Sequence, residues 1–531
     1  MRSPESRLAP REPSPAAAAG AACRPALLSA ALLALAALST LCAAREEFVV
    51  TIETTLADTT ETFWLQIPSA YDPAVPCPLL VGWHQWGGTH LEMRNATAFD
   101  SIADARGWLA AAHHGPSTTH WNNQATQSHV VDMIAWISER YAVDAERIYM
   151  VGASMGGAAG MVFSNNHLDP GGPLVAAAAS VSGIQDCERR FAEQGVNHSM
   201  IAAFGGTPAE VPFEYRRNSA ICFADSTGSM HWNARHLPLL LVFGHGTSDQ
   251  VWRAHAEDLF AELDGWADEV VLRESALAGH GWICAEEELI CDFLGGFSAR
   301  RHPLRLSLNA DEAGRAWWAA LDPRAGLAFA RLEAAAHPAS AHLTVTLARN
   351  IARAGLDLQA VAFPLHGDRF TIGWSVEDGE PAQLVLAGVP REPAAVTIDG
   401  EPCADWSYDP QAEELSLTGE GRAQYAVLFD AAAAGQDGTG AAPAGSAAPA
   451  LELRPALGRT LRYRLARPGP LGWALLDPAG RRLAGAFAGE RPAGEGALEL
   501  PRGLPAGAYF ARVSLSGNAA AAAAARIILV E

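Results

Sequence analysis

The chain has 531 residues, 49% of them hydrophobic, with 59 acidic residues against 38 basic ones, and a formal net charge of −21. All the basic residues are arginine, so a Schiff-base enzyme, a Ser-Lys dyad and a Walker A phosphate loop are excluded, and any serine nucleophile needs histidine as its base. The acidic balance argues against a nucleic-acid partner, which calls for a basic patch or stripe.

Residues 1–44 read as a signal peptide. The uncharged run "ALLSAALLALAALSTLCAA" ends in Cys42-Ala43-Ala44, where small residues suit a signal peptidase. Left uncleaved, a stretch of that length would serve as an N-terminal membrane anchor. The expected location is therefore secreted or at the cell surface. Export permits disulfides among Cys77, Cys187, Cys222, Cys284, Cys291 and Cys403; Cys187 with Cys222 and Cys284 with Cys291 are the candidate pairs, with buried free thiols as the alternative.

From 45 to 300, strand-like runs alternate with helix-like ones, as a mostly parallel sheet with helices on both faces requires. "ETFWLQIP" alternates with period two, whereas "PLLVGW", "RIYMV" and "LPLLLVF" are continuous apolar runs of buried central strands. Val130, Ile134, Ile137 and Tyr141 recur at helical spacing directly before "RIYMV". Residues 301–430 change texture: "AHLTVTLARNI", "RFTIGWSV" and "AAVTIDG" read as strands of a β-rich accessory domain, a β-sandwich in expectation. Residues 431–450 form a low-complexity linker, and 451–531 a last β module.

Gly152-Ala153-Ser154-Met155-Gly156 follows the "RIYMV" strand and precedes a small-residue run that can start a helix. This is the G-x-S-x-G pattern of a nucleophile on a sharp strand-to-helix turn. A serine hydroxyl needs a base to take its proton and a carboxylate to orient that base. In this topology the order is Ser, acid, His, each after a later strand. Asp249 follows "LPLLLVF", and His280, between Gly279 and Gly281, follows the strand of "EVVLRESALAGHGW". His245 is the competing base, but it precedes the acid. An oxyanion hole needs two backbone N–H groups; Met155 supplies one by position, and Trp86 or Gln85 of "HQWGG" the other, with Trp86 favoured. Trp83, Trp121, Trp252 and Trp282 lie on segments that should reach the site and are candidate substrate contacts, with core packing the alternative. His113, His114 and His120 lack nearby carboxylates, so no metal is expected, and no cofactor.

On "HQWGG", "DAERIYMVGASMGG", "GHGTSDQV" and "GHGW", residues 45–300 resemble the α/β-hydrolase superfamily, and look most like secreted esterases of the polyhydroxybutyrate depolymerase and feruloyl esterase kind. Those families usually carry His-Gly where this chain has His84-Gln85. The resemblance implies an α/β-hydrolase fold followed by β-sandwich modules. It also implies a serine carboxylesterase with a Ser154-His280-Asp249 triad, whose ester substrate is an extracellular polymer in the depolymerase case. Two alternatives stand beside it: a prolyl oligopeptidase-like serine peptidase, and a non-catalytic surface binding protein on a hydrolase scaffold. Residues 451–531 resemble the Ig-like carboxy-terminal domains of exported bacterial proteins, through "LRYRLARPGPLGWALLDPAGRRLAG" and "GLPAGAYFARV". That resemblance implies a sorting or binding module and a partner in secretion or cell-surface machinery.

Overall fold

A computed structural model describes residues 44–429, apart from 248, 366 and 378, together with the strands between 451 and 529. The expected signal peptide, except its last residue, and the 431–450 linker lie outside the described residues. The chain divides into two compact units, Met1–Ala434 and Gly435–Glu531.

The first unit begins with an eight-stranded sheet: β1 (Glu46–Glu53), β2 (Thr60–Ile67), β3 (Cys77–Trp83), β4 (Leu109–His113), β5 (Val143–Ala153), β6 (Val175–Val181), β7 (Leu239–His245) and β8 (Val270–Ala278). Their spatial order is β1-β2-β4-β3-β5-β6-β7-β8. β2 pairs antiparallel with β1 and β4, while the strands from β4 to β8 run parallel. A parallel sheet needs crossover helices, and these cover both faces. Helix Gln124–Arg140 starts where the Asn123 side chain accepts the Thr126 N–H at 3.0 Å, and it buries Val130, Met133, Ile134 and Ile137. Those residues join Leu79, Val81, Ile148 and Leu241 in one layer of core; Leu80, Tyr149, Val151 and Val242 point into the other. β2 departs from its period-two pattern. Phe63 and Leu65 enter the first layer and Trp64 the second, so both faces are buried and Gln66 survives there by donating to the Asp100 carbonyl at 2.8 Å.

Residues 305–428 form two mostly antiparallel sheets of six and seven strands around a shared core that includes Trp318, Leu332, Leu343, Ile372, Leu384, Leu417 and Val427. This β-rich region is packed onto the helices and loops of the eight-stranded sheet. Leu168 of the first region is buried in the second region's core. Asn309 donates its side-chain amide to the carbonyls of Thr227 (3.0 Å) and Ser229 (2.6 Å), and its backbone N–H to Asn233 Oδ1 (2.7 Å). Trp317 N–H donates to the Leu168 carbonyl at 2.7 Å, and the guanidinium of Arg331 lies over the Trp232 ring. The second unit, taken by itself, holds a three-stranded sheet (Leu451–Arg454, Thr460–Leu465, Gly494–Glu499) and a five-stranded one built around Gly507–Leu515.

The six cysteines Cys77, Cys187, Cys222, Cys284, Cys291 and Cys403 are free thiols, which corrects both candidate disulfides. Cys222 Sγ turns to Glu188 and Cys187 Sγ to the Asn218 carbonyl. Burial raises the thiols of Cys187 and Cys291 to about 12, so they behave as small apolar side chains.

Candidate active site

β5 ends at Ala153 and the chain turns through Ser154 into a 3-10 turn, Ser154–Gly156, then into helix Ala159–Asn166. Ser154 sits at φ +54°, the left-handed region that a non-glycine residue adopts only under constraint. The two glycines explain how the turn closes. A Cβ on Gly152 would strike the Gly156 carbonyl, and one on Gly156 would lie 2.5 Å from the Trp83 carbonyl oxygen. Only glycine lets the end of β3 and the turn approach this closely.

The structure brings Ser154, His280 and Asp249 together. His280 Nδ1 is 2.8 Å from Asp249 Oδ1, and Nε2 is 2.7 Å from Ser154 Oγ. A carboxylate only accepts, so Nδ1 carries the proton and Nε2 offers its lone pair to the serine hydroxyl. Asp249 is 0% exposed, and its Oδ2 accepts from Gly244 N–H (2.7 Å) and Ser182 Oγ (2.8 Å). Its side chain does not cap the helix that follows. His245 lies elsewhere, exposed and bonded to Glu274 at 2.7 Å. The Trp252 ring lies on the His280 imidazole, with centroids 3.7 Å apart.

The expected oxyanion donors separate. Gln85 is ruled out, because its N–H donates to Glu92 Oε2 at 2.7 Å and its side-chain amide to Oε1 at 3.0 Å. Among the described residues the Trp86 amide has no such acceptor, and Met155 stands in the first turn after Ser154, where N–H groups lack intrahelical partners. Glu92 also accepts from Trp282 Nε1 at 3.3 Å, so one carboxylate ties the "HQWGG" loop to the segment after His280.

Three of the four candidate substrate tryptophans are corrected to packing residues. Trp83 is fully buried against His113 and Phe163. Trp282 is buried against Phe99, and Trp121, 4% exposed, donates its indole N–H to Ser199 Oγ at 2.9 Å. Trp252 keeps some accessible surface. The open aromatic face belongs to Trp86, 59% exposed, whose indole N–H also reaches Ser199 Oγ, at 3.1 Å.

His84, His113 and His120 form a buried cluster in which one ring nitrogen of each lies within 4.8 Å of the others. Its donor set does not suit a cation. His120 Nδ1 accepts the Asn122 N–H at 2.9 Å, which places the proton on Nε2 and leaves no lone pair there. Both nitrogens of His84 face carbonyl oxygens, of Gln85 at 2.8 Å and His114 at 3.0 Å. Burial lowers His113 and His120 well below the usual imidazole range, so both are neutral.

Sequence reasoning missed Glu92, Ser182 and Asn122, the last donating its side-chain amide to the Met155 carbonyl at 2.9 Å. Ser182 had a signal: Ser182-Gly183 directly ends the run "PLVAAAASV", the strand between those that carry the nucleophile and the acid.

A family model described as the prolyl oligopeptidase family matches residues 116–290, about a third of the chain. No curated protein matches the sequence. Similar solved structures include an S-formylglutathione hydrolase from Agrobacterium tumefaciens, at 16% identity over 48% of this chain and 93% of that one, with a TM-score of 0.36. A ferulic acid esterase shows 12% identity over 47% of this chain and 97% of its own, with a TM-score of 0.37. An acylaminoacyl peptidase from Pyrococcus horikoshii shows 14% over 50% and 44%, also at 0.37. The N-terminal part has an α/β-hydrolase-like fold. Family match and elbow agree on a serine hydrolase.

Proposed function

We propose that the protein is a serine carboxylesterase working through an acyl-enzyme. Ser154 attacks the ester carbonyl as His280 takes its proton, and Asp249 holds the imidazole in the required tautomer. Met155 and Trp86 N–H groups receive the oxyanion. His280 returns the proton to the leaving alcohol, and water then repeats the cycle on the acyl-serine. The observation that carries this reading is the unbroken relay of 2.7 and 2.8 Å ending on a serine held at φ +54°. Ester rather than amide rests on the sequence resemblance to secreted esterases, and a polymeric ester suits an exported chain with appended β modules. The match to the prolyl oligopeptidase family favours a second reading, a serine peptidase using the same residues.

Purified protein assayed on p-nitrophenyl esters of increasing chain length, feruloyl esters and peptide anilides separates the two. Ser154→Ala should lose about 10⁴-fold or more in turnover while folding normally, and should escape labelling by a fluorophosphonate. Undiminished hydrolysis by that variant refutes both catalytic readings; cleavage of anilides alone refutes the esterase. Export is likewise proposed from the N-terminal sequence, and is checked by locating the mature N-terminus.

A further inference from the structure

We propose that Ser182 is a positioning residue that fixes the acid and the base relative to each other. The inference rests on the reading of Ser154, His280 and Asp249 as a catalytic relay. Asp249 stands on the loop after β7 and His280 on the loop after β8, and loops are the parts of a fold least fixed by the sheet. Their relative placement must come from cross-links between them. One is the Nδ1–H bond to Asp249 itself. The second runs through Ser182, on a third loop after β6. Its hydroxyl donates its single proton to Asp249 Oδ2 at 2.8 Å and accepts the N–H of Gly281, the residue next to His280, at 3.1 Å. One oxygen thus binds the carboxylate from one side and the base-bearing backbone from the other.

The backbone around Ser182 points the same way. Ser182 is fully buried and sits at φ +49°, a conformation glycine adopts freely and serine does not. A serine there needs a compensating use of its side chain, and the hydroxyl donates to Asp249, accepts from Gly281 and also lies 3.2 Å from Cys284 Sγ. Its own N–H is anchored to the Val242 carbonyl at 2.7 Å, which aims Oγ at the acid. Because Oδ2 takes Ser182 Oγ–H and Gly244 N–H, the carboxylate plane is set and Oδ1 is left to the imidazole. Without the hydroxyl, Asp249 keeps one donor on Oδ2, and the Gly281 N–H loses its partner.

Ser182→Gly is the informative variant, since it removes the hydroxyl while relieving the backbone. The expected result is a fall in kcat for a soluble p-nitrophenyl ester of about 10- to 100-fold, the scale of a sub-ångström to 1 Å misplacement, with KM within about twofold. The fluorophosphonate labelling rate should fall in parallel, and Tm should fall modestly, because the lost bonds to Asp249 and Gly281 outweigh the relieved backbone. Ser182→Ala, which removes the same hydroxyl but keeps a side chain and adds no thiol beside Cys284 Sγ, 3.2 Å from Ser182 Oγ, should lose kcat to a similar extent. Wild-type kcat in Ser182→Gly overturns the inference. So does a kcat loss that disappears when rates are normalised to the labelled, folded fraction, because that marks a purely structural residue. If the wild type neither turns over nor labels, the serine-hydrolase reading itself has failed, a different outcome from an active wild type matched by an equally active variant.

Discussion

Glu92 is the residue whose removal most directly tests how the oxyanion loop is held. Its carboxylate accepts the Gln85 N–H at 2.7 Å, the Gln85 side-chain amide at 3.0 Å and the Trp282 indole N–H at 3.3 Å. Hydrogen bonds to a charged group contribute about 1.5–3 kcal/mol each, so Glu92→Ala removes several kcal/mol of restraint from a loop whose next amide, Trp86, is the proposed donor. Only the part that moves that amide reaches the transition state. Loss of one oxyanion donor costs about 2.7–4 kcal/mol, which caps the effect at roughly 10³ in kcat. A loop that loosens without unfolding should fall below that cap, at about 10- to 100-fold. Glu92→Gln should lie between the wild type and Glu92→Ala, because it still accepts from the Gln85 N–H but sets an amide donor against the Gln85 amide. Initial rates on a soluble p-nitrophenyl ester, with Tm measured alongside, give the answer. A Glu92→Ala variant with kcat within about twofold of wild type refutes the claim that this carboxylate holds the loop.

Trp252→Leu should lower kcat/KM by about 2- to 30-fold, the worth of about 0.5–2 kcal/mol of ring contact with the imidazolium that forms during turnover; Trp252→Phe should recover part of it, and no change would leave the stack as packing alone. Burial, with the charge of Arg331 nearby, lowers His231 from 6.5 to about 4, so the unfolded chain takes up a proton between those values that the folded chain refuses. Stability fully present above about pH 6.5 is therefore lost as pH falls toward 4, by up to about 3 kcal/mol; His231→Gln should flatten the fall in Tm from pH 7.5 to 4.5, and an unchanged slope refutes this. Truncation after residue 430 should leave ester turnover near wild type, whereas truncation after 300 strips the partners of Leu168, Asn233 and Trp232 and should give insoluble or unfolded protein, read from soluble yield and circular dichroism.

What could be read from the sequence divides along a physical line. The strands were legible because a buried parallel strand must be a continuous apolar run, and "PLLVGW", "RIYMV" and "LPLLLVF" are such runs. Ser154 and Asp249 could be nominated because each follows one of these strands and His280 because it follows the next strand-like run, Val270–Ala278, and chain order then fixes which loop ends meet. The tryptophans show the limit. Sequence position places an indole on a segment near the site, but whether Trp83 is buried and Trp86 open depends on what packs behind them: the His113 and Phe163 rings for one, a single Ser199 hydroxyl for the other. Gln85 fails for the same reason, its N–H being taken by a carboxylate seven residues on that no pattern pairs with it. The seam between the hydrolase sheet and the β-rich region was equally hidden. Its polar links include asparagine amides exchanging with backbone carbonyls, a chemistry that reads in sequence as turns and loops. Polar side chains spent on distant backbone leave no periodicity, so the apolar architecture is written locally, and the contacts that orient the site appear only once the chain has closed on itself.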